Sequence, residues 1–278
     1  MDWVAPPPWN IQTLYLPENG RFFYFVFVWY YIAYGENLLM IRLETHCHTR
    51  YSKDSLLLHS LLYIKCRLCH IDAIAICEHN NILGALKFKE YCSKRKNKVL
   101  VIVGEEIMTS SGEIIGLYLN EEIPAGLSCD ETIDRIISQG GVVYVPHPYD
   151  EKRSKTVLDE DCICLNSHRI DCIECYNGRN VNENYSVMQN KIADKYGLVK
   201  VIGSDAHTLM EIGRNYMEVK SVPLNSSEFR DVINGCTFHT KPCIKLAHKV
   251  TKVAKLMKMI VKGNFNEIYR VINRKIKK

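Results

Sequence analysis

The chain has 278 residues, of which 47% are hydrophobic and 24% are charged. These values are typical of a globular protein with one large barrel-type core, and they argue against a small secreted disulfide scaffold. The net charge of +5 is unevenly distributed, because residues 249–278 carry ten basic residues and one acidic residue, which leaves residues 1–248 at −4. We therefore predict that residues 1–248 are mildly acidic, as is typical of proteins that bind metal cations, and that residues 249–278 form a basic tail.

The twelve cysteines are scattered through strand-like and helix-like stretches, and no cleavable signal peptide is evident. We therefore predict reduced thiols and a cytoplasmic location. Two pairs have C-x-x-C spacing, Cys66 with Cys69 and Cys172 with Cys175. Their wide separation and the strand-like setting of the second pair argue against a zinc ribbon.

Residues 1–39 do not resemble the start of a folded domain. Three prolines, Pro6 to Pro8, precede an apolar run from Phe22 to Tyr34, which is shorter than the roughly 20 residues of a membrane-spanning helix. We expect no transmembrane anchoring. A β-hairpin arm, an interfacial anchor and an upstream extension of a gene whose natural start is Met40 remain open, and we favour the last.

From Met40 the sequence repeats one pattern, in which a short apolar run is followed by a polar residue and then by helical spacing. The pattern predicts seven strands, at 41–45, 72–77, 99–103, 113–119, 141–145, 170–175 and 199–202. It predicts four helices, at 56–67, 82–94, 129–139 and 184–196, the last one capped by Gly197. This alternation indicates a mostly parallel sheet, and seven units favour its closure into a barrel.

Histidines and carboxylates follow six of these strands. His46 and His48 are one residue apart at the end of the first strand; side chains alternate along a strand, so both imidazoles can face one metal ion. Functional groups of α/β barrels converge at the C-terminal ends of the strands. Mixed imidazole and carboxylate ligands favour Mn, Zn or Fe over Mg, and the number of candidate ligands predicts two or three divalent ions.

Seven motifs occur in order between Leu43 and Val219: H-C-H-T-x-x-S-x-D-S, C-E-H-N, G-E-E-I, G-E-I-I-G-L, P-H-P, E-C-Y-N-G-R and G-S-D-A-H. This set resembles the PHP (polymerase and histidinol phosphatase) domain. The resemblance implies an α/β fold, a distorted seven-stranded (β/α)7 barrel with its metal site at the C-terminal ends of the strands. It also implies up to three divalent metals and phosphoesterase activity.

The resemblance also implies which side chains bind the metals. The implied ligands are His46, His48, Asp54, His79, Glu106, Glu113, His147, Asp205 and His207. Glu106 falls where a carboxylate bridges two metals, and Glu105 should point away from it. There are two departures from the family pattern. Glu78 stands where many members have Asp, and Glu113 stands where many have His. Occupancy of the third metal position therefore depends on whether Glu113 binds a metal there.

The chain shows neither a G-x-S-x-G elbow nor a cysteine in an electropositive setting, so the expected nucleophile is metal-activated water. Asp205 or Asp54 is expected to manage protons. Arg153, and after it Arg179, are the candidate guanidinium groups for a phosphate. The histidines outside the seven motifs are interpreted as structural or surface residues: His59, His70, His168, His239 and His248.

Residues 249–278 have the pattern of an amphipathic basic helix that is broken near Gly263. Such a helix can pack on the barrel with its lysines outward, or it can lie on nucleic acid or on an anionic membrane. The predicted organisation is therefore an extension at 1–39, a PHP domain at 40–248 and a basic tail at 249–278.

The expected function is metal-dependent hydrolysis of a phosphomonoester or a small nucleotide. One alternative is a nuclease that acts on DNA or RNA ends and uses the tail to bind nucleic acid. Another is a non-catalytic, metal-stabilised interaction module.

Overall fold

The computed structural model describes residues 40–153, 155–261 and 263. From Ile41 onward these residues belong to one compact unit. Its strands are β1 (Ile41–Cys47), β2 (Ala73–His79), β3 (Leu100–Thr109), β4 (Gly112–Leu117), β5 (Val142–Val145), β6 (Cys172–Asn177), β7 (Lys200–Gly203), β8 (Tyr216–Val219) and β9 (Thr237–His239). Its helices are α1 (His59–Leu68), α2 (Leu83–Ser93), α3 (Cys129–Ser138), α4 (Glu160–Asn166), α5 (Asn184–Tyr196), α6 (Ser226–Ile233) and α7 (Lys245–Val261).

The strands form a single mixed sheet in the order β7-β6-β5-β4-β3-β2-β1-β8-β9. The pairs β1–β2, β2–β3, β5–β6 and β6–β7 are parallel, whereas β4 runs antiparallel to both β3 and β5. The connection from β3 to β4 is a tight turn between Thr109 and Gly112, and a parallel neighbour would need a crossover of about a dozen residues. The sheet therefore does not consist of seven parallel strands.

The nearly closed barrel depends on the edge of β1 opposite β2. Ile41 to Leu43 pair with the antiparallel strand β8, while Cys47, at the other end of β1, forms a parallel bridge with Ala206, just after β7. The backbone N–H of His48 donates to the carbonyl of Ala206 at 2.8 Å. The sheet thus curves round until the segment after β7 meets β1, and β8 and β9 extend it beyond the seven predicted strands.

Most predicted elements are found within a few residues of their expected ends. The predicted helix Asn184–Tyr196 has those bounds, and Gly197 ends it in the left-handed region at φ 63°. The helix at Cys129 begins with a capping box between Ser128 and Glu131. Helices α4 and α6 and strands β8 and β9 were not predicted. The predicted extension at residues 1–39 and the continuation of the tail helix after Gly263 lie outside the described residues.

Buried apolar side chains lie on both faces of the sheet. On β2, Ala73, Ala75 and Cys77 face the barrel interior, and Ile74 and Ile76 pack under the helices. Small residues on the interior face leave room for longer polar groups at the strand ends. All twelve cysteines are free thiols. Within the described residues, no helix combines the length and apolar composition needed to cross a membrane.

Candidate metal centre

A β-bulge turns the first two histidines into the barrel. The pairing of β1 with β2 shifts by one residue between Glu44 and Cys47, which reverses the alternation of side chains at that point. His46 and His48 are fully buried, and their Nε2 atoms lie 3.0 Å apart. Both rings therefore present one nitrogen to the same region.

The opposite nitrogens of these rings are held by hydrogen bonds. The Nδ1 of His46 donates to Oε1 of Glu174 at 2.7 Å. The Nδ1 of His48 lies 3.1 Å from the hydroxyl of Ser52, whose own proton is donated to Glu78. Since Ser52 has no second proton to give, His48 Nδ1 is the donor. With each Nδ1 donating, Nε2 is the nitrogen that either ring could offer to a metal in its neutral form.

Glu106 lies at the centre of a cluster of histidines and carboxylates that includes His46 and His48. Its Oε1 is 3.0 Å from Nε2 of His147, and its Oε2 is 2.8 Å from Nδ1 of His79 and 3.4 Å from Nε2 of His48. The neighbouring Glu105 points away, and its carboxylate accepts from the backbone N–H of Ile123 at 2.9 Å. The strand alternation predicted for this pair is therefore found.

A second group lies beside the first. Oδ1 of Asp54 is 3.3 Å from Nε2 of His207 and 3.5 Å from Nε2 of His79. The rings of His48 and His207 have centroids 4.2 Å apart. Asp54 thus joins two histidines that come from strand ends far apart in the sequence.

Glu113 reaches the cluster from β4. Its carboxylate oxygens lie 3.7 Å from Nδ1 of His79 and 3.6 Å from Nε2 of His147. Burial, and then the negative charge of Glu106, raise the pKa of Glu113 to about 7. A cation in this position would lower that pKa, because it would offset both effects.

Asp205 completes the cluster and is the member nearest an arginine. Its Oδ1 lies 3.4 Å from Nε2 of His48 and 3.8 Å from Nε2 of His46, and its Oδ2 accepts from the guanidinium of Arg153. Arg153 stands in a short 3₁₀ helix and also contacts Asp150 at 3.2 Å. Although Asp205 is buried, Arg153 and then His46 hold its pKa well below the usual range.

Two of these residues have strained backbones. His147, between Pro146 and Pro148, has φ 30°, and Asp205 has φ 50°. Residues other than glycine rarely adopt positive φ, and such strain is concentrated at functional sites. Here it directs a histidine and a carboxylate into the same cluster.

Several buried ligand atoms of the cluster lack a hydrogen-bond partner among the described residues. They are Asp54 Oδ1, His79 Nδ1, Glu106 Oε2 and His147 Nδ1. His79 Nδ1 and Glu106 Oε2 are 2.8 Å apart without hydrogen-bond alignment. Buried polar atoms are normally paired, so the unpaired atoms of His79 and Glu106, which face one another, fit a site for cations.

In the part of the chain that the structure describes, three sets of side chains have candidate ligand atoms close enough to share one ion: His48–His79–His207, His46–His48–Glu106 and His79–Glu106–Glu113. None contains a cysteine. Glu106 and two histidines belong to more than one set. The donor atoms are imidazole nitrogens and carboxylate oxygens, which suit Zn, Mn and Fe.

The charged groups of the cluster shift one another's pKa values. Burial by itself would raise the pKa of Glu106, but His79 and His46 hold it well below the usual value. Burial lowers the pKa of His48, and His207 and His79 lower it further. Burial opposes protonation of His46, yet Glu174, Asp205 and Glu106 outweigh it and raise its pKa well above the usual value.

Glu174 was not predicted as a site residue, although the motif E-C-Y-N-G-R that contains it was recognised. Besides His46, its carboxylate accepts from the Tyr144 hydroxyl at 2.6 Å and from the backbone N–H of His147 at 2.8 Å. A Cβ at Gly203 would lie 2.0 Å from Glu174 Oε1. The glycine therefore makes room for a carboxylate that orients two candidate ligands.

Glu78 has a similar supporting position. It is buried and accepts hydrogen bonds from Thr49 and from Ser52, the residue that holds His48. A Cβ at Gly84 would lie 2.1 Å from its Oε1. Burial raises the pKa of Glu78. Through Ser52, Glu78 therefore acts on the position of His48.

Arg179 is not brought to the cluster. Its Nη2 donates to the Thr251 hydroxyl of α7 at 2.9 Å and lies 3.4 Å from Nδ1 of His248, while its Nε is 3.4 Å from Glu211. Burial, then Arg179 and Arg153, lower the pKa of His248 to about 4. His248, interpreted from the sequence as structural or surface, therefore contacts Arg179 from its place on α7.

A nearly closed α/β barrel with buried histidines and carboxylates at the C-terminal ends of its strands defines a metal-site barrel protein. The family model of the PHP domain matches residues 44–277, and the chain belongs to this family. The match continues beyond Val219, where the recognised motifs end. The chain is 34% identical over 193 residues to the uncharacterized protein MJ0417 of Methanocaldococcus jannaschii, which covers 68% of this chain and 74% of that protein.

The fold is shared with solved structures. A two-domain protein from Bacteroides vulgatus, described as containing a predicted PHP-like metal-dependent phosphoesterase, superposes with a TM-score of 0.59 at 16% identity. The match covers 73% of this chain and 65% of that one, so the chain spans about two-thirds of the two-domain protein. PsfC from Pseudomonas syringae has a TM-score of 0.58 at 13% identity, covering 81% of this chain and 100% of PsfC.

Proposed function

We propose that this protein is a metal-dependent phosphoesterase that hydrolyses a phosphomonoester or a small nucleotide. The observation that supports this most strongly is the set of buried, unpaired atoms on the candidate ligands Asp54, His79 and Glu106. A structural cluster of histidines and carboxylates would be expected to satisfy these atoms by hydrogen bonds within the protein.

The proposed ligands are the nine predicted from the sequence, serving two or three Mn, Zn or Fe ions. Glu106 would contribute to holding two of them, because it belongs to two of the candidate sets and its two oxygens face different histidines. When bound, such ions lower the pKa of water and neutralise phosphoryl oxygens.

The remaining roles fall to side chains of this protein. Arg153 is proposed to bind the phosphoryl group, since its guanidinium already lies against a carboxylate at the edge of the cluster. Neighbouring cationic groups hold the pKa values of Asp205 and Asp54 well below the usual range, so both carboxyl groups are ionised at neutral pH. One of them is proposed to accept a proton from the attacking water. Arg179, turned toward α7, is proposed to hold that helix in place.

The test begins with the full chain, purified and analysed for bound metal. Phosphomonoesters, dinucleotides and oligonucleotides are then assayed with added Mn²⁺. We expect turnover that is lost on chelation and lost in the double variant His46→Ala, Asp205→Ala. His239→Ala is the matched control, because His239 pairs with Glu218 at 3.0 Å away from the cluster. Hydrolysis that survives the double variant would rule out the proposed site.

The same assays distinguish the alternatives. Activity on oligonucleotide ends that disappears when residues 264–278 are removed, with turnover of a small phosphoester unchanged, would favour the nuclease. Tightly bound metal without turnover of any of these substrates would favour the non-catalytic module. A cytoplasmic location remains a prediction from the sequence.

A further inference from the structure

Helix α7 is fixed to the barrel along one side. Ala247, Thr251 and Ala254 are buried on that side. Near the C-terminal end of the helix, the ammonium of Lys258 donates to the backbone carbonyls of Arg50 at 2.6 Å and Ser52 at 2.5 Å. The helix therefore has a defined rotation about its axis, and its other faces point in known directions.

A second side of α7 carries an exposed apolar row. Its members recur at intervals of four, three, four and three residues, and each is between 38% and 56% exposed: Leu246, Val250, Val253, Met257 and Ile260. This spacing places them along one stripe of the helix. A continuous exposed apolar stripe indicates an interaction surface.

Lysines border this row on the side away from the barrel. Lys245, Lys249 and Lys252 are all exposed, and a rotation of about 100° per residue puts them next to the apolar row. Helix α7 has no acidic residue between Lys245 and Val261. The surface that complements it must therefore be both apolar and negatively charged.

Among partners of this chemistry, an anionic lipid surface fits best. Nucleic acid would engage the lysines but would leave the five apolar side chains in water. A second copy of α7 would cover the apolar row but would bring two lysine rows together. The boundary between headgroups and acyl chains accepts both kinds of side chain.

We propose that α7 docks parallel to an anionic phospholipid surface, with its apolar row inserted at the headgroup boundary and its lysine row on the headgroups. The helix lies on the membrane and does not cross it. The proposal rests on the faces of α7 and is independent of the catalytic assignment.

The test is co-sedimentation of the full chain with vesicles of phosphatidylcholine, with or without phosphatidylserine. We expect binding only to vesicles containing phosphatidylserine, and weaker binding at higher salt. The variant Val253→Asp, Met257→Asp should lower the affinity at least about tenfold. The variant Lys249→Glu, Lys252→Glu should remove the salt-dependent part of the binding.

The matched control is Ile64→Asp, Leu68→Asp on α1, where the two side chains are 52% and 72% exposed. This variant should bind vesicles as the unchanged chain does. Circular dichroism and metal content verify that each variant is folded. The proposal is overturned if the unchanged chain does not bind anionic vesicles, or if the control variant loses binding equally. It is also overturned if Val253→Asp, Met257→Asp dissociates a dimer in sedimentation velocity without altering vesicle binding.

Discussion

The Nδ1 of His46 and Oε1 of Glu174 lie 2.7 Å apart, and both side chains are fully buried. This hydrogen bond sets the tautomer and the ring orientation of His46, so that its other nitrogen faces Glu106 and Asp205. Carboxylates in this position commonly tune metal-binding histidines.

The variant Glu174→Gln tests this pairing. It removes the negative charge while keeping the size of the side chain. We therefore expect metal affinity to fall about 10- to 100-fold, while the variant stays folded. Competitive titration with a metal-sensitive dye measures the affinity. Glu218→Gln is the control, because Glu218 pairs with Arg42 and His239 away from the cluster. Equal affinities in the two variants would contradict the role of Glu174.

Gly203→Ala should disturb the same carboxylate from a different strand. The added Cβ would lie 2.0 Å from Glu174 Oε1 and 3.0 Å from the Tyr144 hydroxyl. We expect destabilisation of about 1–3 kcal/mol together with weaker metal binding. In the control Gly197→Ala, the left-handed backbone is strained but nothing lies near the new Cβ. Its thermal stability should therefore fall while its metal affinity stays unchanged.

Glu113→Gln tests the third metal position. If Glu113 is a ligand, the variant should contain less metal per chain than the unchanged protein. The His46–His48–Glu106 set should keep its ion, because Glu113 is not part of it. Mass spectrometry of metal content after dialysis measures the difference. An unchanged stoichiometry would show that Glu113 acts through water or has no role in binding.

Arg153→Ala should weaken substrate binding. Loss of a charged hydrogen bond to a phosphate predicts a KM raised roughly 10- to 100-fold. Arg179→Ala should leave KM nearly unchanged and lower stability, because its guanidinium contacts Glu211 and Thr251. Steady-state kinetics and thermal unfolding of both variants separate the roles. A larger rise of KM in Arg179→Ala would reverse the assignment.

Glu44 predicts a pH dependence of stability. Burial raises its pKa from 4.5 to about 7, so the protonated form favours the folded state. The stabilisation is complete below pH 4.5 and is lost as pH rises toward 7, a change of about 3 kcal/mol. Glu44→Gln should therefore unfold at a higher temperature than the unchanged chain at neutral pH, with the difference shrinking in acid. Identical pH profiles of the two unfolding temperatures would contradict this.

The order of strands and helices could be read from the sequence because apolar spacing and caps are local properties. Helix α5 and its C-cap at Gly197 were predicted with their observed bounds. Helix α6 was missed although the side chain of Asn225 caps it by accepting from the backbone N–H of Glu228. Strands β8 and β9 were also missed, because short strands at the edge of a sheet are defined by their partners more than by their own residues.

Several candidate ligands could be recognised from residue types at strand ends, and the full set of nine was implied by the family resemblance. The cluster brings all nine together. Their orientation was not evident. Leu43 faces the barrel interior, so simple alternation along β1 would point His46, three residues later, outward. The bulge between Glu44 and Cys47 turns it inward. The separation of Arg153 from Arg179 could not be foreseen either, since it depends on where α7 packs.

The sequence by itself determined which chemical groups this protein can present, because a histidine or carboxylate after an apolar run is a matter of composition and spacing. Only the tertiary structure decided which of them meet. Closure of the sheet through Cys47 and Ala206, together with the carboxylates that orient the histidines, is a long-range arrangement, and such contacts depend on packing between segments that the local pattern does not encode.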